Sequence, residues 1–146
     1  MTASATSMGA ARGQLLLVDA DAAVRDALRA ALESEGFAVC PAGLGASAVH
    51  RYAAGLFDLV LMDIGASAAP GWELLRQLRG VNPKVGVVVL TVRTDLRAAA
   101  TAAGVLAVCE KPMAVASLVD VLRRLLAESE SRADHPGGPP VYLATG

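Results

Sequence analysis

The chain has 146 residues, a formal net charge of -1 and an apolar fraction of 54%, with only 3% aromatic. That length suits one domain with a continuous core and gives no reason to expect a second. The alanine-rich apolar content contains no run near the roughly 20 residues that span a bilayer, so no membrane helix is expected, and with no basic cluster nucleic acid is not an expected partner.

Residues 1–12 are rich in Ser, Thr and Ala and lack the apolar centre of a secretory signal, so a disordered N-terminal segment is expected. Gln14 to Asp19 (QLLLVD) reads as a first strand. Ala22 to Ser34 reads as a helix with Val24, Leu28 and Leu32 on one face and Arg25, Arg29 and Glu33 on the other, stopped by Gly36. Ala38 to Cys40 forms a short second strand, and a helix with a thin apolar face runs from about Gly45 to Ala54, closed by Gly55. Asp58 to Asp63 (DLVLMD) is almost wholly apolar, as expected of a strand covered on both faces. After a loop from Ile64 to Pro70, a helix is expected over Gly71 to Leu78, with Trp72, Leu75 and Leu78 on a shared face and Pro70 at its start. Val85 to Thr91 (VGVVVLT) is a strand dominated by β-branched residues. A short Ala-rich helix, Leu96 to Ala103, ends at Gly104. Ala107 to Glu110 is the fifth strand and Ala114 to Glu128 the last helix, with Leu118, Leu122 and Leu125 facing inward.

Five strand-helix units in regular alternation predict an α/β fold, a doubly wound parallel sheet with helices on both faces. The ordered domain is expected to span residues 13–128. Residues 129–146 turn abruptly to Ser, Asp, Gly and Pro, which predicts a disordered Gly/Pro-rich tail with no output domain after it. Cys40 and Cys109 lie in apolar runs, where buried thiols rather than a disulfide or metal ligands are expected, and a reducing cytoplasm fits this usage.

Ligand and reaction sites of open parallel sheets gather outside the carboxyl ends of the strands. Asp19, Asp63 and Thr91 close three of these strands, and Lys111 immediately follows a fourth. Singly, such residues cap helices or sit in solvent. Jointly they define one reactive edge. His50, His135 and the Gly-x-Gly at Gly43 to Gly45 carry no comparable pattern; the histidines read as surface and the glycines as a turn.

The runs LLLVDAD with VRDALRAALESEGF, DLVLMDIGASAAPGWELLRQLR, VVVLT and AGVLAVCEKP together resemble the receiver domain of two-component response regulators, over Gln14 to Glu128. That resemblance implies a flavodoxin-like (βα)5 fold with strand order 2-1-3-4-5 and a cis peptide bond between Lys111 and Pro112. It further implies that Asp63 is the phosphoacceptor, Thr91 the switch hydroxyl and Lys111 the basic partner of the phosphoryl group. Asp19, Asp63 and the backbone carbonyl of Gly65 would be the ligands of Mg²⁺. The implied partners are a histidine kinase or phosphotransfer protein and a downstream protein, in a phosphorelay module not classed as an enzyme. The residue types suit this chemistry, since a carboxylate attacks a phosphoryl group only where positive charge offsets the repulsion between anions.

Several positions depart from the family pattern. Ala20 stands where a second acid usually binds the metal, and Asp21 reads as the cap of the first helix. Ala66 and Ser67 replace a Met-Pro pair, and Pro70 replaces the usual acid or amide before Gly71. Val92 stands where a small residue leaves room for the phosphoryl group, and Val108 where a switch aromatic is usual. The stretch from Thr91 to Lys111 is slightly shorter than the family's. These changes keep open an alternative, a pseudo-receiver that acts as an interaction module without phosphorylation. A small flavodoxin-like cofactor protein or hydrolase fits less well, because Asp19 and Asp21 put carboxylates where a phosphate-binding loop would be needed.

Overall fold

The computed structural model describes residues 13–65, 67–134 and 141–143. The strands are β1 (Gln14–Asp19), β2 (Ala38–Ala42), β3 (Leu59–Asp63), β4 (Val87–Thr91), β5 (Ala107–Glu110) and β6 (Val141–Leu143). The helices are α1 (Ala22–Ser34), α2 (Ala46–Ala54), α3 (Ala69–Val81), α4 (Arg97–Ala103) and α5 (Val115–Asp134). All described strand pairs are parallel, in the order β2-β1-β3-β4-β5-β6. The expected 2-1-3-4-5 sheet is therefore present, with one strand added at its β5 edge.

Period-two alternation sorts the strand side chains into two cores. Leu16, Val18, Val60, Met62, Val87 and Val89 pack with Tyr52 of α2, Leu74, Leu75 and Leu78 of α3 and Ala100 of α4. Leu15, Leu17, Leu59, Leu61, Val88 and Leu90 pack instead with Leu32 of α1 and Leu118, Leu122 and Leu125 of α5. Because both faces are covered, β3 and β4 are buried at every position. This is why they read as continuous apolar runs.

Local chemistry sets the element ends. Asp21 caps α1, its carboxylate accepting from the backbone N–H groups of Ala23 (2.9 Å) and Val24 (3.2 Å). Gly104 closes α4 in the left-handed region at φ 75°. Pro70 lies in the first turn of α3, where its missing N–H costs nothing. The helix starts earlier and ends later than its apolar pattern suggests, at Ala69 and Val81. β2 likewise continues through Pro41 to Ala42; as an edge strand it tolerates a residue without an N–H.

The expected disordered tail over residues 129–146 is corrected in part. α5 runs on to Asp134, and Val141–Leu143 pairs with Ala107–Cys109 as β6. The polarity of the segment hid both features: Ser, Glu, Arg and Ala are compatible with a continuing helix, and a Val-Tyr-Leu triplet supplies a strand that pairs with β5. Residues 1–12, 135–140 and 144–146, with the disorder expected of them, lie outside the described residues, as do Ala66 and His135.

Candidate functional site

The parallel register brings the quartet together. Asp19 and Asp63 are direct partners on adjacent central strands, Thr91 ends the next strand, and the Lys111 N–H donates to the Thr91 carbonyl at 2.8 Å. Asp19, Asp63 and Thr91 are buried to 5%, 4% and 0% exposure, within a largely apolar interior. Buried polar groups of this kind need partners.

Asp63 has them. The Lys111 ammonium donates to its Oδ2 in a close ion pair, and the Gly65 N–H donates to its Oδ1 at 3.1 Å. Gly65 takes φ 61°, a left-handed conformation that turns the chain back over the carboxylate and suits glycine. The Thr91 hydroxyl donates to the Gly65 carbonyl at 3.3 Å and accepts from the Arg93 N–H at 3.0 Å. The peptide bond between Lys111 and Pro112 is cis.

Asp19 is less well served. Its Oδ1 accepts from the Asp21 N–H at 2.9 Å, whereas Oδ2 is buried with no hydrogen-bond partner. Burial, and after it the neighbouring Asp63 carboxylate, holds the Asp19 carboxyl above its ordinary pKa of 3.8. Arg25 reaches back from α1 and donates from Nη1 to the Asp19 carbonyl at 2.6 Å. Helical periodicity placed Arg25 on the solvent face; its position within two turns of the strand end was the only signal of this contact.

The departing positions take different places. Ala20 is exposed, and among the described residues no group of three or more His, Cys, Asp or Glu side chains is placed to hold a metal ion. Val92 stands at the rim, 56% exposed. Val108 is buried in the same core cluster as Leu96 and Ala100. His50 is exposed on α2, as expected.

Beside this edge lies an apolar groove of about 390 Å³ between α1 and the segment leading into α5. Val24, Leu28, Pro112, Met113 and Val115 line it, and Lys111 forms part of its wall.

A parallel sheet whose first five strands run in the order 2-1-3-4-5, with carboxylates, a hydroxyl and a lysine at its carboxyl edge, defines a receiver-type α/β domain. The sequence profile of the response regulator receiver domain matches residues 15–123, and the chain belongs to that family. It is 34% identical to response regulator MprA of Mycobacterium tuberculosis over 119 residues, 80% of this chain and 52% of that protein. The chain thus spans about half the length of the curated relatives it matches. Among solved structures, a CheY-like receiver domain protein from Methanospirillum hungatei superposes with a TM-score of 0.71 at 27% identity, covering 82% of this chain and 97% of that one. NtrX from Brucella abortus gives 0.74 at 26% identity, over 83% of this chain and 28% of that one. The domain is a two-component signalling module of the CheY-like, flavodoxin-like class. No helix among the described residues is long and apolar enough to cross a membrane.

Proposed function

We propose that the domain accepts a phosphoryl group on Asp63 from a histidine kinase or phosphotransfer protein and passes its state on by binding a downstream protein. The observation that carries this reading is the pairing of a nearly inaccessible carboxylate, Asp63, with Lys111 at the open edge of the sheet, beside the Thr91 hydroxyl. In the transfer, a bond forms between an Asp63 oxygen and phosphorus while the bond from phosphorus to the donor imidazole nitrogen breaks, and that nitrogen is left carrying a proton from solvent. Lys111 offsets the repulsion between the carboxylate and the arriving anion. The Thr91 hydroxyl, now donating to Gly65, transfers its hydrogen bond to a phosphoryl oxygen, and the loop at Gly65 and the Arg93 backbone respond to its movement.

The donor chemistry fits Mg²⁺: the unpartnered Asp19 Oδ2, Asp63 and the Gly65 carbonyl would be its ligands, a set of hard oxygens that leaves the remaining positions to water. When bound, it supplies positive charge against which the two carboxylates and the phosphoryl group are stabilised. The apolar groove shares Lys111 with the site, so a docking protein seated there presents its phosphohistidine to Asp63. The second reading, a phosphorylation-independent interaction module, is favoured by Ala20, which leaves two carboxylates where the family pattern has three.

Intact mass measurement after incubation with acetyl phosphate and Mg²⁺ separates the two. The expected result is a hydroxylamine-labile phosphoryl adduct that is missing in Asp63→Asn, and faster labelling in Ala20→Asp. No adduct at any Mg²⁺ concentration sinks the phosphoacceptor reading and leaves the second.

A further inference from the structure

The short segment that joins β1 to α1 is tied down by one residue of the helix. Every position from 20 to 27 is exposed except Arg25, which is half-buried. A charged group withdrawn from water needs an acceptor, and Arg25 is anchored twice on the same segment. Its guanidinium Nη1 donates to the Asp19 carbonyl at 2.6 Å, and its backbone N–H donates to the Asp21 carbonyl at 2.9 Å. Strand register explains why the Asp19 carbonyl is open to a side chain. The β1–β2 pairing ends at Val18 and Ala42, whereas the β1–β3 pairing continues to Asp19 and Asp63. Carbonyls of a strand alternate between its two neighbours, and the Gly13 carbonyl accepts from the Ala38 N–H. Counting by two from Gly13, the Asp19 carbonyl faces the β2 side, one residue past the last pair. Arg25 donates there, its Nη1 3.8 Å from where a Cβ on Gly43 would lie.

Asp19 is thus fixed at two points, its carbonyl by Arg25 and its Oδ1 by the Asp21 N–H at 2.9 Å. Oδ2 is left buried and without a hydrogen-bond partner, on the strand beside Asp63. Ala20 has no carboxylate to add, and that of Asp21 is turned to the N–H groups of Ala23 and Val24. Asp19 Oδ2 is therefore the acidic oxygen that this segment can offer a cation. We propose that Arg25 is a positioning residue for the cation site: by holding the Asp19 main chain it sets where Oδ2 stands relative to Asp63, and with it the affinity for Mg²⁺. The role deepens the phosphoacceptor reading and rests on it for the identity of the ion.

The charge of Arg25 makes the sign of its effect diagnostic. A guanidinium beside a cation site repels the arriving ion, so if charge were its contribution, removing it would tighten Mg²⁺ binding. If it holds the Asp19 main chain, removing it frees Oδ2 to wander and weakens binding. Contacts that orient a ligand from behind are worth about tenfold or more in metal affinity. Arg25 is also absent from the lining of the apolar groove, which takes Val24 and Leu28 from the same helix, so its replacement leaves the groove's lining residues unchanged.

The test is a Mg²⁺ titration of the full chain, read by calorimetry and by the thermal midpoint, in the wild type, Arg25→Met and Arg25→Lys. Methionine keeps an unbranched apolar stem without a donor, and lysine keeps both a donor and the charge. Arg25→Met is expected to raise the Kd for Mg²⁺ at least about tenfold, and Arg25→Lys to recover part of that loss. Labelling of Arg25→Met by acetyl phosphate is expected to approach the wild-type rate as Mg²⁺ is raised to saturation. An unchanged or lower Kd in Arg25→Met overturns the proposal even where its Mg²⁺-free midpoint falls, since a purely structural contact moves the midpoint and leaves the affinity alone. Should Arg25→Met not fold, Arg25→Lys is compared with the shorter, uncharged Arg25→Gln; weaker binding in the glutamine variant supports the proposal and equal affinity overturns it. A wild type that binds no Mg²⁺ overturns it as well. Binding needs no phosphoryl transfer, so Mg²⁺ binding that depends on Arg25 without any adduct refutes the phosphoacceptor reading alone and upholds the positioning role.

Discussion

Asp19 is a buried carboxylate with one satisfied oxygen, and its neighbour on the sheet is another carboxylate. The folded domain binds the Asp19 proton more tightly than the unfolded chain, whose carboxyl titrates near 3.8. Stability accordingly falls as pH rises from that value through the raised folded value. Asp19→Asn is expected to raise the thermal midpoint by a few degrees at pH 7, with the gain shrinking as pH is lowered through the carboxylate range. Thermal denaturation across pH checks this; a midpoint that falls at pH 7 contradicts it. Mg²⁺ is expected to raise the wild-type midpoint by linkage and to lose most of that effect in Asp19→Asn. Of the site residues, all four of the quartet were legible in the sequence because each interrupts an apolar run. Arg25 was not, because a side chain that reaches back to a strand end leaves no mark on helical periodicity.

At the scale of elements, α3 approaches the residue after β3 so closely that only a glycine fits between them. A Cβ at Gly71 would lie 2.4 Å from Ile64 Cγ2 and 3.2 Å from Ile64 Cβ, and the branched isoleucine is itself buried to 4% exposure. Gly71→Ala is therefore expected to destabilise the domain by about 1–3 kcal/mol through overpacking, although alanine is the better helix former. Chemical denaturation measures the loss, and an unchanged or higher midpoint shows that the loop after Asp63 yields. The same loop carries Gly65 and its N–H to Asp63, so Gly71→Ala is also expected to slow labelling by acetyl phosphate. Strand and helix types were readable from two periodicities. Their ends were less so: Pro41 sits in β2 because an edge strand needs only one satisfied side, and α3 passes through Gly80 because packing of Leu74, Leu75 and Leu78 outweighs one poor helix residue.

On the scale of the whole molecule, the two cores place α1 and α5 on one face of the sheet and α2, α3 and α4 on the other. The groove that opens between α1 and the start of α5 leaves Val24 and Val115 38–39% exposed beside Lys111. Val24→Glu is expected to leave labelling by acetyl phosphate unchanged while slowing transfer at least about tenfold from a histidine kinase chosen for its ability to label the wild type, since a buried charge opposes docking. Equal loss with both donors places the effect in the site rather than the groove. Burial on both faces also explains the thiols. Cys109 is fully buried and its thiol is pushed up to about 11, while Cys40 on the edge strand is half-buried.

By itself the sequence determined the alternation of five strands and helices, the core residues of each strand and the four polar residues at their carboxyl ends, because burial imposes periods of two and 3.6 on apolar side chains. Only the tertiary structure decided that Asp19 and Asp63 stand side by side, that Lys111 closes on Asp63, that Arg25 braces Asp19, and that Val141–Leu143 joins the sheet. Each of these depends on strand register or on an open edge. Both are relations between distant segments, and neither leaves a signal in the local order of residues.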